Sequence, residues 1–353
     1  SSREIVTDSK VRPLWARSFS TMTCTACANS SRVSTRSVKA VLPATPGLGK
    51  SLRVVQWNIE RGIEYDAVRT ALTSPASFAK FIDPVANPRG SKERNTIVEQ
   101  VALMRDADVI VLNEVDWGIK RTDYRNIAGD LATALGMNYA YGVEFVEVDP
   151  IALGIEKFEE LSEKDRKELV LEISVDANRY RGLHGSAILS RFPLQNVRVQ
   201  PFEHQPHNWY KDELKTTQPL EEGKRKAGEL VFREKVQREV RRGGRMMLTA
   251  EIVDERIPGG RATIVATHLE DRTKPEGRRK QLEELLARIK DTNGGVVVAG
   301  DMNTSTHDGT PLSLKRAIKN RLGSKSFWAR QTLELVTGTK LPSLLLTGMN
   351  TYR

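Results

Sequence analysis

Cysteine is nearly absent. Cys24 and Cys27 are the only two in 353 residues, and they form one C-x-x-C with no second pair. That rules out a disulfide framework; a zinc site would need more ligands, and a redox motif would need a βαβ context that this segment lacks. No apolar run reaches the roughly 18 residues that a membrane span requires, so none is expected. The chain contains no G-x-S-x-G, G-x-x-x-x-G-K or G-x-G-x-x-G. A serine-nucleophile elbow, a P-loop and a dinucleotide fold are therefore excluded as readings. Acidic residues are scarce only at the start. Residues 1–50 hold two against eight Lys and Arg, so six of the ten net positive charges lie there and the remainder is close to balanced. Bulk charge thus says little about nucleic-acid binding by the core.

What remains is ordinary for a soluble globular protein, 39% hydrophobic and 28% charged, and long enough for one large domain or two small ones. Residues 1–50, rich in Ser, Thr and Arg, read as a flexible tail or presequence, with Pro43, Pro46 and Gly47 as a linker. They have no apolar h-region, which disfavours secretion; a cytoplasmic location is favoured, with an organelle presequence left open.

The stretch Gly294-Gly295-Val296-Val297-Val298-Ala299-Gly300-Asp301-Met302-Asn303 organises the rest. Valines without a polar break predict a short buried strand, and the residues spaced by two at its end, Asp301 and Asn303, should face one site. Leu52–Glu60 reads as a first strand ending in Asn58 and Glu60. Residues 62–92 read as irregular, broken by Pro75, Pro84 and Pro88. A helix is expected over Asn95–Asp106 with Ile97, Val98, Val101 and Met104 on one face. A second buried strand, Ala107–Glu114, follows, then a helix over Ile127–Leu135 stopped by Gly136. Tyr139–Val148 should be a strand and Gly182–Pro193 a loop feeding another. His184, between glycines, is either a turn histidine or a site residue. Arg245–Val253 and Arg261–His268 form an expected hairpin about Pro258-Gly259-Gly260, the second strand ending in His268, and a helix follows with Leu282, Leu285, Leu286 and Ile289 at its spacing. Two charged insertions interrupt this pattern, at about 150–180 and 203–245. The first reads as a solvated helix, the second as a surface helix or a basic arm that contacts phosphates through Lys224-Arg225-Lys226 and Arg241-Arg242-Gly243-Gly244-Arg245.

Four strands thus finish in Asn58/Glu60, Glu114, His268 and Asp301/Asn303. Hard oxygen ligands such as Glu114 suit Mg²⁺. A carboxylate such as Asp301 can orient or deprotonate water, and amides and a histidine can stabilise the oxygens of a pentacoordinate phosphorus. Gln56-Trp57-Asn58-Ile59, Leu112-Asn113-Glu114-Val115-Asp116, Gly185-Ser186-Ala187-Ile188-Leu189-Ser190-Arg191, Thr267-His268-Leu269 and Gly300-Asp301-Met302-Asn303 resemble, in order, the motifs of the endonuclease/exonuclease/phosphatase superfamily, the DNase-I-like fold. The resemblance covers roughly residues 50–305. It implies a four-layer α/β sandwich, two packed mixed β-sheets with helices outside, and hydrolysis of a phosphoester with Mg²⁺ or, alternatively, Mn²⁺. It also implies roles. Glu114 binds the metal, Asn58 contacts phosphate or a metal-bound water, Asp301 activates the water, Asn303 stabilises the transition state and His268 contacts the phosphate. Glu60, as a second metal ligand, and His184, as a further catalytic group, lie beside matched motifs rather than on them.

One departure stands against the enzyme. The family closes its domain with a Ser-Asp-His-type motif, and none of this chain's five histidines lies in the last 46 residues. His307-Asp308 follows the Gly-Asp-Met-Asn motif too closely to replace it, and Leu344-Leu345-Leu346 is a candidate for the start of a late strand. The expectation is a domain over 51–353 that lacks its last strands. The alternative is a non-catalytic phosphate- or nucleic-acid-binding protein that has lost the pair. The substrate is left open among nucleic acid, an inositol phosphate, a phospholipid head group and other small phosphoesters; few aromatics lie among the cations of the basic arm to stack on bases.

Overall fold

Strands buried on both faces dictate the architecture. A computed structural model describes residues 33–36 (as backbone), 51–84, 87–104, 106–148, 175–214 and 240–304. In chain order its elements are β1 (Val33–Arg36), β2 (Val54–Arg61), α1 (Tyr65–Thr73), α2 (Lys92–Met104), β3 (Val109–Trp117), α3 (Ile127–Leu135), β4 (Asn138–Val148), β5 (Leu183–Ser190), β6 (Gln195–Pro201), β7 (Val240–Gly243), β8 (Met246–Val253), β9 (Arg261–His268), α4 (Pro275–Ile289) and β10 (Gly295–Asp301). The expected helix of the first insertion, residues 215–239 of the second, the C-x-x-C and Leu344–Leu346 lie outside the described residues. No described helix is long and apolar enough to cross a membrane.

The strands form two mixed sheets. One has the order β1-β4-β5-β3-β2, with β7 also on β4; the other runs β10-β9-β8-β6. Strand β3 shows why they stack. Val109 and Val111 pack against Met246, Leu248, Ile252, Ile264 and Ala266 of the second sheet. Ile110 and Leu112, on the opposite face, pack against Val68, Leu72, Ile127 and Leu131 of α1 and α3. The far side of the second sheet buries Met247 and Val265 under Leu285 of α4. The result is the helix–sheet–sheet–helix sandwich expected from the motifs. An apolar run with no alternation is what a strand between two apolar layers requires.

Each sheet contains one parallel pair, β2 with β3 and β10 with β9; the other pairings are antiparallel. Registers set Asn58 opposite Asn113 and Asp301 opposite His268. Carboxyl ends of parallel neighbours finish together, and contacts between β10 and β2/β3 bring the two pairs to one end of the sandwich.

Several elements depart from expectation. Residues 62–92 are not irregular throughout: α1 buries Val68, Ala71 and Leu72 at helical spacing, and Pro75 lies just past its end, opening a 3₁₀ turn over Pro75–Phe81. Prolines there delimit structure rather than abolish it. Helix α2 starts earlier and ends earlier than expected, buries only Val101, and leaves Val98 exposed. Strands β6 and β7 carried too little apolar pattern to be anticipated, and β1 comes from the segment read as a tail. Helix α3 matches its expected bounds; Asn126 accepts from the Gly129 amide at its start, and Gly136 closes it at φ 63°.

Candidate active site

Asn113 anchors the polar end of the sandwich. It is fully buried, and its amide is saturated. Oδ1 accepts from Gln56 Nε2 (3.1 Å) and from the Asp301 backbone N–H (2.9 Å). Nδ2 donates to Ser186 Oγ (3.0 Å) and to the Thr267 carbonyl (2.9 Å). One side chain thus ties β2, β3, β5, β9 and β10 together, and its neighbour Glu114 is delivered at a fixed place.

Beside it, Asn58 joins two carboxylates from different sheets. Its Nδ2 donates to Glu114 Oε1 at 3.1 Å and to Asp301 Oδ2 at 3.0 Å. Two acids share one amide, which offsets their repulsion and holds them near each other. The Oδ1 of Asn58 accepts from the Glu60 backbone N–H (3.1 Å), so Glu60 touches this cluster through its main chain while the residue as a whole is exposed.

The backbone around these groups is bent out of regular strand. The β2–β3 register slips between Asn58 and Arg61, and the β3–β5 register between Leu112 and Val115. Within those slips, Glu60 (φ 46°), Arg61 (φ 68°) and Glu114 (φ 52°) take left-handed conformations, as does Asn303 (φ 50°) beyond β10. Such a conformation costs a non-glycine residue about 1–2 kcal/mol. Strain of this kind gathers where side chains must be aimed rather than packed.

The remaining expected residues divide. Asp301 stays in the cluster, and its Oδ1 accepts from the Asn303 backbone N–H (2.8 Å). Asn303 is buried, and its Nδ2 donates to the Leu269 carbonyl (2.8 Å), clamping the turn after β10 onto β9. His268 is buried with Nδ1 2.8 Å from Arg245 Nη1. Burial drives its pKa well below the usual imidazole value, and the nearby Arg245 adds to this. His184 is also buried. Its Nδ1 meets Asp116 Oδ1 (2.8 Å), its ring lies against Phe145, and its pKa is likewise pushed well down by burial, with Arg241 and Arg121 adding to the effect. Asp116 is gripped by Arg121 through Nε (2.6 Å) and Nη2 (2.9 Å), and Arg121 also reaches Glu147. The contacts of His184 are therefore with this ion-pair group, and not with Asn58, Glu114 or Asp301.

Arg241 and Arg245 correct the reading of the second insertion. Both were expected on a solvated surface helix or on a basic arm that contacts phosphates, and both are instead buried, 4% and 3% exposed. Arg245 donates to Glu144 Oε2 (2.9 Å) and Asp271 Oδ1 (3.1 Å), with Glu270 3.5 Å away and the Phe145 ring beneath it. Arg241 pairs with Glu147 at 3.2 Å. Only Arg242 of the three is exposed, stacked on Tyr210 at 4.5 Å.

Asn113, Glu144, Ser186, Arg245 and the Arg121–Asp116 pair escaped sequence reasoning as functional positions. A buried asparagine following four apolar residues was the available signal for Asn113: a polar group there must be hydrogen-bonded on all sides. Nothing local marks Glu144 or Arg245, which pair with each other across 101 residues of sequence.

Metal-binding capacity follows from donor chemistry. Among the described residues no group of three or more His, Cys, Asp or Glu could enclose an ion. The half-buried Glu114 carboxylate, with Asp301 joined to it through Asn58, is instead a sparse, all-oxygen donor set. That fits a hard cation which retains waters and binds phosphate oxygens, as Mg²⁺ does, and does not fit a closed transition-metal site.

Residues 55–339 match the model of the endonuclease/exonuclease/phosphatase family. Similar solved structures include an endonuclease/exonuclease/phosphatase from Beutenbergia cavernae DSM 12333, 22% identical, covering 72% of this chain and 48% of that one at a TM-score of 0.33. They also include ANGEL2, described as a 2′,3′-cyclic phosphatase (16% identity, 72% and 53% coverage, TM-score 0.34). A family protein from Leptotrichia buccalis C-1013-b is 13% identical, with 77% and 72% coverage and a TM-score of 0.33. This chain spans about half the length of the first two. No curated protein sequence matches it.

Proposed function

Because this chain belongs to the endonuclease/exonuclease/phosphatase family, we propose that its strand-end cluster hydrolyses a phosphoester by attack of water, with Mg²⁺ as the cofactor. The observation that carries this is the Asn58 bridge. A single amide draws Glu114 and Asp301, from separate sheets, to within hydrogen-bond reach of one nitrogen. Folding alone gains little from gathering two half-buried carboxylates and placing one of them on a strained bulge.

Glu114 would hold the cation, whose bound charge neutralises that of the phosphoryl oxygens. Asp301, fixed by Asn58 and by the Asn303 amide, orients the water and takes its proton. Asn58 keeps the two carboxylates apart in role, one for metal and one for water. Asn303, with one N–H spent on Leu269, has a second N–H for a phosphoryl oxygen, and His268 supplies a further contact. The burial of His184 against Asp116 makes it a support for β3 and β5 in this scheme. Glu60, exposed and tied in through its backbone, stands at the rim as a secondary ligand.

The test is hydrolysis of a bis-aryl phosphodiester by the full chain with Mg²⁺, with EDTA, and as Asp301→Ala. Turnover that needs the metal and disappears with Asp301 supports the proposal. Phosphate or Mg²⁺ binding without turnover would favour the non-catalytic binding reading and overturn it.

A further inference from the structure

The buried Arg245 has a consequence for the chemistry of His268. A guanidinium carries only donors, so the 2.8 Å contact between Arg245 Nη1 and His268 Nδ1 requires a lone pair on Nδ1. The ring proton must then reside on Nε2. Arg245 has no freedom to turn away. Glu144 Oε2 holds the same Nη1 (2.9 Å), Asp271 Oδ1 holds Nη2 (3.1 Å), and the Phe145 ring lies under the group at 5.3 Å. Glu144 is itself fixed by Ser186 Oγ (2.6 Å), which accepts from Asn113. A continuous polar chain, Asn113–Ser186–Glu144–Arg245–His268, therefore crosses from the first sheet to the second.

We infer that Arg245 is a positioning residue: it locks His268 as the neutral tautomer with its proton on Nε2, making the ring a fixed hydrogen-bond donor and denying it the role of a base. The catalytic meaning of this inference rests on the proposed hydrolysis; the tautomer does not. Groups facing the ring agree with it. Arg245 just ahead of β8, Arg241 from β7 and the neutral His184 from β5 all oppose a second proton, and Glu144 from β4, 3.9 Å from Nδ1, is already engaged by Arg245. Burial works against the charge of Arg245, but Glu144, Glu270 and Asp271 more than offset this and raise its pKa, so it remains the cation of the group. At His184 the arrangement is opposite: Nδ1 lies 2.8 Å from an Asp116 carboxylate gripped by the Arg121 fork, and an ionised carboxylate only accepts, which assigns the proton to Nδ1. The two buried histidines thus receive complementary tautomers, His268 from Arg245 itself and His184 from a carboxylate held by Arg121.

Long-range ¹H–¹⁵N correlation of the full chain labelled with ¹⁵N-histidine tests this directly, with His268 assigned by the loss of its signals in His268→Gln. The expected result is a proton on Nε2, a bare Nδ1, and no titration across about pH 5–8, the range in which a free imidazole would titrate. A proton on Nδ1, or an imidazolium at neutral pH, overturns the inference. Arg245→Lys then separates positioning from structure, because it keeps the positive charge for the surrounding acids but loses the fork that holds the ring. Expected are the appearance of the second tautomer or of titration at His268, a fall in kcat of about tenfold or more with KM little changed, and a new acid limb in the pH–rate profile. A lowered Tm with the His268 signals and the pH profile unmoved would show a merely structural arginine and overturn the inference. Absence of turnover in the wild type would remove the hydrolase reading while the tautomer result still stood or fell on the spectra.

Discussion

Asn113→Asp is the most informative single change, because it preserves shape and alters only which atoms can donate. In the native amide, Nδ2 donates to Ser186 Oγ and to the Thr267 carbonyl in a site with no solvent exposure. An ionised aspartate would point an oxygen lone pair at that carbonyl. The variant must therefore stay protonated when folded, with its folded-state pKa raised far above the reference value of about 3.9. The unfolded chain ionises above that value and the folded chain does not, so the folded state binds more protons and the penalty grows as pH rises. The slope is about 1.4 kcal/mol per pH unit until the folded-state pKa is reached. Between pH 5 and 7 the variant should lose about 2.7 kcal/mol relative to wild type, reaching a deficit of about 4 kcal/mol at pH 7. Loss of one donor adds about 1 kcal/mol at every pH. Against a typical domain stability of about 5–15 kcal/mol this is a large fraction. Urea unfolding of both proteins at the two pH values measures it, and titrations common to both cancel in the difference. A deficit that is the same at pH 5 and pH 7, or negligible at pH 7, would refute the claim that Asn113 donates into a dry carbonyl.

Three further changes probe the site's construction. Asn58→Ala should cost only about 1 kcal/mol in stability, since the site is half open, yet lower phosphodiester turnover by about 100-fold or more as Glu114 and Asp301 lose their shared donor; comparable turnover in the variant would exclude the bridge from the chemistry. Glu114→Gly should be about 1 kcal/mol more stable than Glu114→Ala, because only glycine relieves the φ of 52°; equal Tm values would deny the strained bulge. Gly300→Ala should destabilise by more than about 3 kcal/mol in thermal melts, since a Cβ there would lie 1.8 Å from the Thr267 carbonyl oxygen at a φ of 151° and push β10 off β9; a melt close to wild type would contradict that packing.

How far the sequence revealed this molecule depended on the range of the interaction concerned. Val109–Leu112 announce a buried strand because an apolar run has few other destinations. Val296–Val298 announce a strand in the same way, but the expectation that it is fully buried fails, since the structure leaves it half-buried. Asn58, Glu114, His268 and Asp301 were legible because each closes such a run with a polar group. What was hidden is relational. Nothing near Asn58 in the chain says that its amide meets Asp301, 243 residues later. Arg245 looked like the end of a basic arm because two glycines and two arginines precede it, and only the fold reveals Glu144, Asp271 and His268 around it. Helix α1 was missed for a local reason: the prolines that follow it were taken to govern residues that precede them.

The two ends of the sandwich are held by different physics, and this explains where the site sits. Along most of β3, β8 and β9 the sheets adhere through valine, isoleucine, leucine and methionine, an attraction that is strong but does not orient side chains. At the end of the sandwich where β2, β3, β9 and β10 finish, the cement changes to Asn113, Ser186, Glu144 and Arg245, each fully or almost fully buried and each hydrogen-bonded to the next. Apolar residues of similar volume would hold the sheets together at no electrostatic cost. A polar chain does what they cannot, because each link sets a direction as well as a distance. Asn113 fixes the Asp301 backbone, Arg245 fixes the His268 ring, and the sheets cannot slide without breaking both. Substituting Ser186→Ala should therefore leave folding nearly intact, with a loss of about 1–2 kcal/mol, while loosening Glu144 and, through Arg245, the tautomer of His268. If the ¹⁵N spectrum of His268 in Ser186→Ala were identical to wild type, the chain would be two independent hydrogen-bond groups rather than one.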